Sequence, residues 1–94
     1  MAKITKSQAD QIVTAYTEIS QTSAQFPGVF ARKYSDDSYN PLATVEYSAD
    51  GIQVYVHLDG VRVVMKNVDY CLVTNDGLGI SGSGGLLTID ISDE

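Results

Sequence analysis

Ile52-Gln53-Val54-Tyr55-Val56-His57-Leu58, then Asp59-Gly60, then Val61-Arg62-Val63-Val64-Met65 is the stretch from which the fold is read. Asp-Gly between two alternating, β-branched runs is a strong hairpin signal, because a two-residue turn of the right twist needs φ > 0 at both central residues. The turn fixes the register. Leu58 is set against Val61, Val56 against Val63 and Val54 against Met65 on one face, with His57 against Arg62 and Tyr55 against Val64 on the other. Both strands therefore agree on which face is dry, as a well-specified pair must.

The same period of two extends in both directions. Upstream, a strand is predicted over 43–48, with Val45 and Tyr47 on the dry face, and Ser48-Ala49-Asp50-Gly51 turns the chain into the hairpin. Downstream, Lys66-Asn67 reads as a tight turn and 68–74 as a strand, with Val68, Tyr70 and Leu72 in core phase. Asn75-Asp76-Gly77 suits a three-residue loop with Gly77 left-handed. A short strand over 78–81, a flexible Gly82-Ser83-Gly84-Gly85 bend and a last strand over 86–91 follow, with Leu87, Ile89 and Ile91 inward.

Before residue 43 the period is 3.6. Ala9, Ile12, Val13, Tyr16, Ile19 and Ala24 form one stripe of a helix over about 6–25. Thr5-Lys6-Ser7-Gln8 fits a capping box, and Pro27-Gly28 ends the helix. Residues 29–34 fit either a short edge strand or a helical turn, and 35–41 is a loop by composition. The expected fold is a single α+β domain over 1–94. Its N-terminal amphipathic helix packs on one face of a five- to six-stranded antiparallel β-meander, with strands at about 43–48, 52–58, 61–65, 68–74, 78–81 and 86–91. A helix followed by such a meander also occurs in cystatin-like and other helix-grip folds. Gln53-Val54-Tyr55-Val56-His57 lacks the Gln-x-Val-x-Gly hairpin of cystatins, so protease inhibition is not implied.

Net charge is −6, unevenly spread. Lys3, Lys6, Arg32 and Lys33 against Asp10 and Glu18 leave +2 in residues 1–33; Arg62 and Lys66 against ten acids leave −8 in 34–94. Affinity for DNA or RNA comes chiefly from neutralising phosphates, so no direct nucleic-acid partner is expected, and a basic protein surface is the natural complement. No apolar run approaches a membrane span and nothing resembles a signal peptide. A lone cysteine, Cys71, forms no internal disulfide, and the expected setting is a reducing cytoplasm without membrane attachment.

Chemistry-bearing constellations are few, and no enzyme is expected. His57 and Cys71 are predicted on one face but two strands apart, roughly 10 Å, too far for direct activation of the thiol. One His, one Cys and scattered acids match no zinc or calcium spacing, so neither metal nor cofactor is expected. Gly77-Leu78-Gly79-Ile80-Ser81-Gly82 matches G-x-G-x-x-G, but a strand follows where a dinucleotide site needs a helix.

The favoured function is a non-catalytic protein-interaction module. Its size and charge match small phage-encoded inhibitors or decoys that occupy a basic surface of a host partner. The residues expected to bind that partner are Asp36, Asp37, Tyr39, Glu46, Tyr55 and Asp69. The outer sheet face is unusually apolar, which points to a homo-oligomer that associates through Tyr55, Val64 and Val73. One alternative is an oligomer that sequesters a small ligand or nucleotide, using Arg62 with backbone amides around Gly79, Gly82, Gly84 and Gly85. A structural subunit of a larger assembly is a further alternative.

Overall fold

A computed structural model describes residues 3–92, and the chain is α+β. The elements are β1 (Lys3–Ile4), α1 (Lys6–Gln25), β2 (Ala31–Tyr34), β3 (Ala43–Ser48), β4 (Gly51–Leu58), β5 (Val61–Met65), β6 (Tyr70–Thr74), β7 (Gly77–Gly82) and β8 (Gly85–Ile91). The capping box forms: the Gln8 amide donates to Thr5 Oγ1 at 3.1 Å, and the Thr5 amide donates to Gln8 Oε1 at 2.9 Å. Two of the helix's orphan N-terminal donors are thereby satisfied. Ala9, Ile12, Ala15 and Ile19 are its buried residues. Ala24, expected in the stripe, is exposed, because the last turn runs past the core.

The central hairpin has the register its turn dictates. Asp59 and Gly60 both adopt positive φ, and Val54↔Met65, Tyr55↔Val64, Val56↔Val63, His57↔Arg62 and Leu58↔Val61 are paired. β3 adds to β4 with Val45 opposite Val54 and Thr44 opposite Tyr55. The ambiguous segment after the helix is resolved as β2, an edge strand with Arg32 opposite Glu46 and Tyr34 opposite Thr44.

The strands do not form the single meander expected from sequence. They make two four-stranded sheets, β2-β3-β4-β5 and β1-β8-β7-β6. Residues 66–69 carry the chain from one to the other. The Val68 amide donates to the Ile52 carbonyl at 2.9 Å in the first sheet, and the Asp69 amide donates to the Ser81 carbonyl at 3.0 Å in the second. Asn67, at φ 52, supplies the left-handed step between them. β6 therefore pairs with β7, not β5, and its phase is the reverse of the expected one. Cys71 lies opposite Ile80 and Val73 opposite Leu78 on the core side, whereas Tyr70 and Leu72 are exposed. Val68 is buried as expected.

Two further differences follow from short-range geometry. Asn75-Asp76 is a two-residue turn closed by Thr74↔Gly77, and Ser83-Gly84 is an equally tight turn closed by Gly82↔Gly85, not a flexible bend. β1 had no periodic signal, being two residues long. It pairs in parallel with β8, Ile4 beside Ile91, and the Ser92 amide donates to the Ile4 carbonyl at 2.8 Å. Ile12, Ile19, Val45, Val54, Val56, Leu78 and Ile80 fill the space between helix and sheets. Burial of each such side chain contributes about 1.5–3 kcal/mol.

Candidate functional site

The outer face of the first sheet carries the densest set of polar side chains. Alternation places Arg32 and Tyr34 from β2, Thr44 and Glu46 from β3, Gln53, Tyr55 and His57 from β4, and Arg62 and Val64 from β5 on that side. Seven of these line an open depression of about 390 Å³: Arg32, Tyr34, Thr44, Glu46, Tyr55, His57 and Arg62. Glu46 is its organising group. Its Oε2 accepts from Arg32 Nε at 3.2 Å, and its Oε1 accepts the Tyr55 hydroxyl proton at 2.9 Å. Gln53 Oε1 also lies 2.7 Å from the Tyr55 hydroxyl. One proton cannot serve both acceptors, and a carboxylate can only accept. A half-turn of the Gln53 amide brings its N–H₂ to the hydroxyl oxygen and satisfies all three groups.

These contacts set the electrostatics. The hydrogen bond to Glu46, then burial, raises the Tyr55 hydroxyl pKa above its ordinary value. The Tyr34 hydroxyl and then the Glu46 carboxylate hold the Arg32 guanidinium further in its charged form. Arg32 lies 5.2 Å from the centre of the Phe30 ring and Arg62 lies 5.2 Å from that of Tyr55. Each guanidinium thus has an aromatic face beneath it.

The second feature is the loop between β2 and β3. The buried Ser35 anchors it: its Oγ accepts from the Ala43 amide at 2.8 Å, and its amide donates to the Ala43 carbonyl at 2.9 Å. Asp37 Oδ1 accepts from the Tyr39 and Asn40 amides at 2.8 and 2.7 Å, an Asx turn that folds the tip. The Asp36 amide donates to Gln11 Oε1 of the helix at 2.7 Å. Tyr39 stands at the tip, 96 % exposed.

No protein family, characterised protein or solved structure matches the chain. Its activity has to be argued from its own side chains.

The sequence-predicted partner residues fall into three places. Asp36, Asp37 and Tyr39 share the β2–β3 loop, Glu46 and Tyr55 share the outer face of the first sheet, and Asp69 lies in the link between sheets. The single face expected to carry both His57 and Cys71 does not form, because β6 belongs to the second sheet. For the same reason Val73 shares no surface with Tyr55 and Val64; it packs against the core. Arg62 and the glycines are likewise on different sheets. Gly82 is held against the Lys66 carbonyl, and the Ser83 amide donates to that carbonyl at 2.9 Å, so this amide is not open to an anion. Gly79 sits beneath the Tyr70 ring.

Arg32 and Tyr34 are the site residues that sequence reasoning missed. The alternation of Phe30, Arg32 and Tyr34 was the available signal, but a four-residue strand is too short to tell a period of two from a helical turn. Cys71 is a core side chain, 3 % exposed, and burial pushes its thiol up to about 12. A protonated, enclosed thiol is a poor nucleophile. Among the described residues no three His, Cys, Asp or Glu side chains converge as a metal site would require, and no helix is long and apolar enough to cross a membrane.

Proposed function

We propose that this chain is a non-catalytic interaction module, a small acidic protein that acts in the cytoplasm as an inhibitor or decoy by docking on a basic surface of a partner protein. The kind of protein meant is one a phage directs against a host defence. The observation that carries the reading is Tyr39, held almost fully exposed on a loop whose backbone is already fixed by Asp37, Ser35 and Gln11. An aromatic side chain presented to solvent on an ordered backbone contributes little to the fold. On binding it loses little conformational entropy, which is what an interface anchor requires. Asp36 and Asp37 flank it, and the same end of the first sheet carries the Asp59-Gly60 turn. Two carboxylates in the loop of an aromatic anchor, with a third at the same end of the sheet, suit a basic target and speed its encounter.

Affinity capture from a lysate of the organism in which the protein acts tests this reading. Wild type should retain a protein with a basic surface and release it as salt rises from about 50 mM to about 500 mM. Tyr39→Ala, and separately Asp36→Asn, should capture it poorly. Retention that ignores both salt and Tyr39→Ala would sink the proposal.

A further inference from the structure

We infer that the outer face of the first sheet binds the phosphate of a small phosphorylated ligand, a nucleoside monophosphate being the class that fits best. The face is distinct from the Tyr39 loop, and the two readings stand or fall separately.

Local charge on this face favours an anion. The chain as a whole carries −6, yet this depression holds Arg32 and Arg62 against one carboxylate, Glu46. Both oxygens of Glu46 are committed, one to Arg32 and one to Tyr55. Arg62 has no carboxylate partner among the described residues. The net field inside the depression is therefore positive, and Arg62 is its uncompensated source.

The donors of this face are held in place before any ligand arrives. The Arg62 guanidinium lies over the Tyr55 ring, and Tyr55 is pinned through its hydroxyl by Glu46 and Gln53. The Arg62 guanidinium sits 5.2 Å from the centre of that ring, is exposed, and spends no N–H on a carboxylate of the described residues. That planar fork matches two oxygens of a phosphate. His57 lies directly opposite Arg62, and the Tyr34 and Thr44 hydroxyls are in the row beyond. Each can donate a further hydrogen bond.

Size and an exposed aromatic ring separate the ligand classes. A volume of about 390 Å³ falls in the small-molecule range of about 300–1,000 Å³ and leaves room beside a single phosphate. The exposed ring of Tyr34 offers a face on which a heteroaromatic group can stack, worth roughly tenfold in affinity. A polymer is disfavoured, because each additional phosphate needs a further cation and the depression offers only two guanidiniums, one of them already paired with Glu46.

Amide chemical shifts of the full chain, titrated with AMP, ribose 5-phosphate, adenosine and inorganic phosphate, test the assignment. AMP should move Thr44, Tyr55, His57 and Arg62, ribose 5-phosphate should move the same set about tenfold more weakly, and adenosine should move none at about 5 mM. Arg62→Gln should lower AMP affinity at least about tenfold and Arg62→Lys by less, since the charge survives and the fork does not. Leu86→Ser on the other sheet and Tyr39→Ala in the loop should bind AMP as wild type does. No AMP shifts at about 5 mM, shifts away from this face, or full affinity in Arg62→Gln would overturn the site. Inorganic phosphate binding as tightly as AMP would overturn the nucleotide assignment.

Discussion

The two sheets differ in what holds them in register. In the first, side chains do it: Val45, Val54 and Val56 interlock on the dry face, while Arg32, Glu46 and Tyr55 bond across three strands on the wet one. In the second, the backbone itself comes close. A side chain at Gly77 would run into the Ile89 carbonyl, one at Gly82 into the Lys66 carbonyl, and one at Gly79 would reach the Tyr70 ring at 3.3 Å. The outer faces differ accordingly. The first is polar and bonded to itself; the second exposes Tyr70, Leu72 and Leu86 around a glycine hollow. The same helix and core serve both, so the difference lies in strand composition. β-branched strands specify pairing through their side chains, and glycine-rich strands depend on where the chain is allowed to approach.

Glycine substitution in the second sheet is the strongest test of this contrast. Gly77→Ala combines φ 127 with the approach of Ile89, and Gly82→Ala meets the Lys66 carbonyl. Each should cost about 3 kcal/mol or more in urea unfolding, whereas Thr44→Ala on the first sheet should cost under about 1 kcal/mol. Equal losses would mean that side-chain interlocking governs both sheets alike.

Alkaline pH probes the core side of β6. Burial raises the Cys71 thiol from 9.0 to about 12, so the folded state holds its proton where the unfolded chain has lost it. Stability from this group is intact below pH 9 and falls as pH climbs toward 12, by up to about 1.4 kcal/mol per unit. The Tyr16 hydroxyl is raised too, by burial first and then by Cys71 and Asp69, and adds to the fall above its ordinary value of 10.0. Unfolding free energies at about pH 7, 9 and 10.5 should show this slope in wild type and a shallower one in Cys71→Ala. A Cys71 thiol that reacts with a disulfide reagent in the native state as fast as in urea would contradict its enclosure.

A smaller effect is expected on the polar face. Glu46→Gln removes the Arg32 ion pair, whose side chains are 45 % and 18 % exposed, and the charged acceptor of Tyr55. It should cost about 1 kcal/mol. The tyrosine hydroxyl should titrate lower, toward its ordinary value, in a spectrophotometric titration against wild type. The smallest change in stability is expected for Leu86→Lys, at a position 67 % exposed, within about 0.5 kcal/mol. Light scattering is the sharper reading there: an oligomer lost in Leu86→Lys and retained in Val64→Lys would locate self-association on the apolar sheet and not on the face first expected to carry it.

How much was legible follows the same division. The hairpin of β4 and β5, the β3 pairing and the helix with its cap could be read because alternation, Asp-Gly chemistry and the Thr5–Gln8 box are local signals that agree with one another. The outer-face pairs Thr44–Tyr55, Glu46–Gln53 and His57–Arg62 came with that register. Arg32 and Tyr34 were not legible as their neighbours, since a short edge strand has too few residues to declare a period. Nor was the phase of β6, because Val68, Tyr70 and Leu72 alternate as regularly as Cys71 and Val73 do, and both sets are apolar.

A capped amphipathic helix, a tight hairpin and the strands beside it are all specified by residues within a few positions of each other. The change of sheet at Asn67, the closure of β1 against β8 and the meeting of two arginines far apart in sequence on one face arise from long-range pairing. The physical reason is range. Turns, caps and periodicity act between near neighbours, while the choice of pairing partner for a glycine-rich strand depends on close backbone approach across the whole fold.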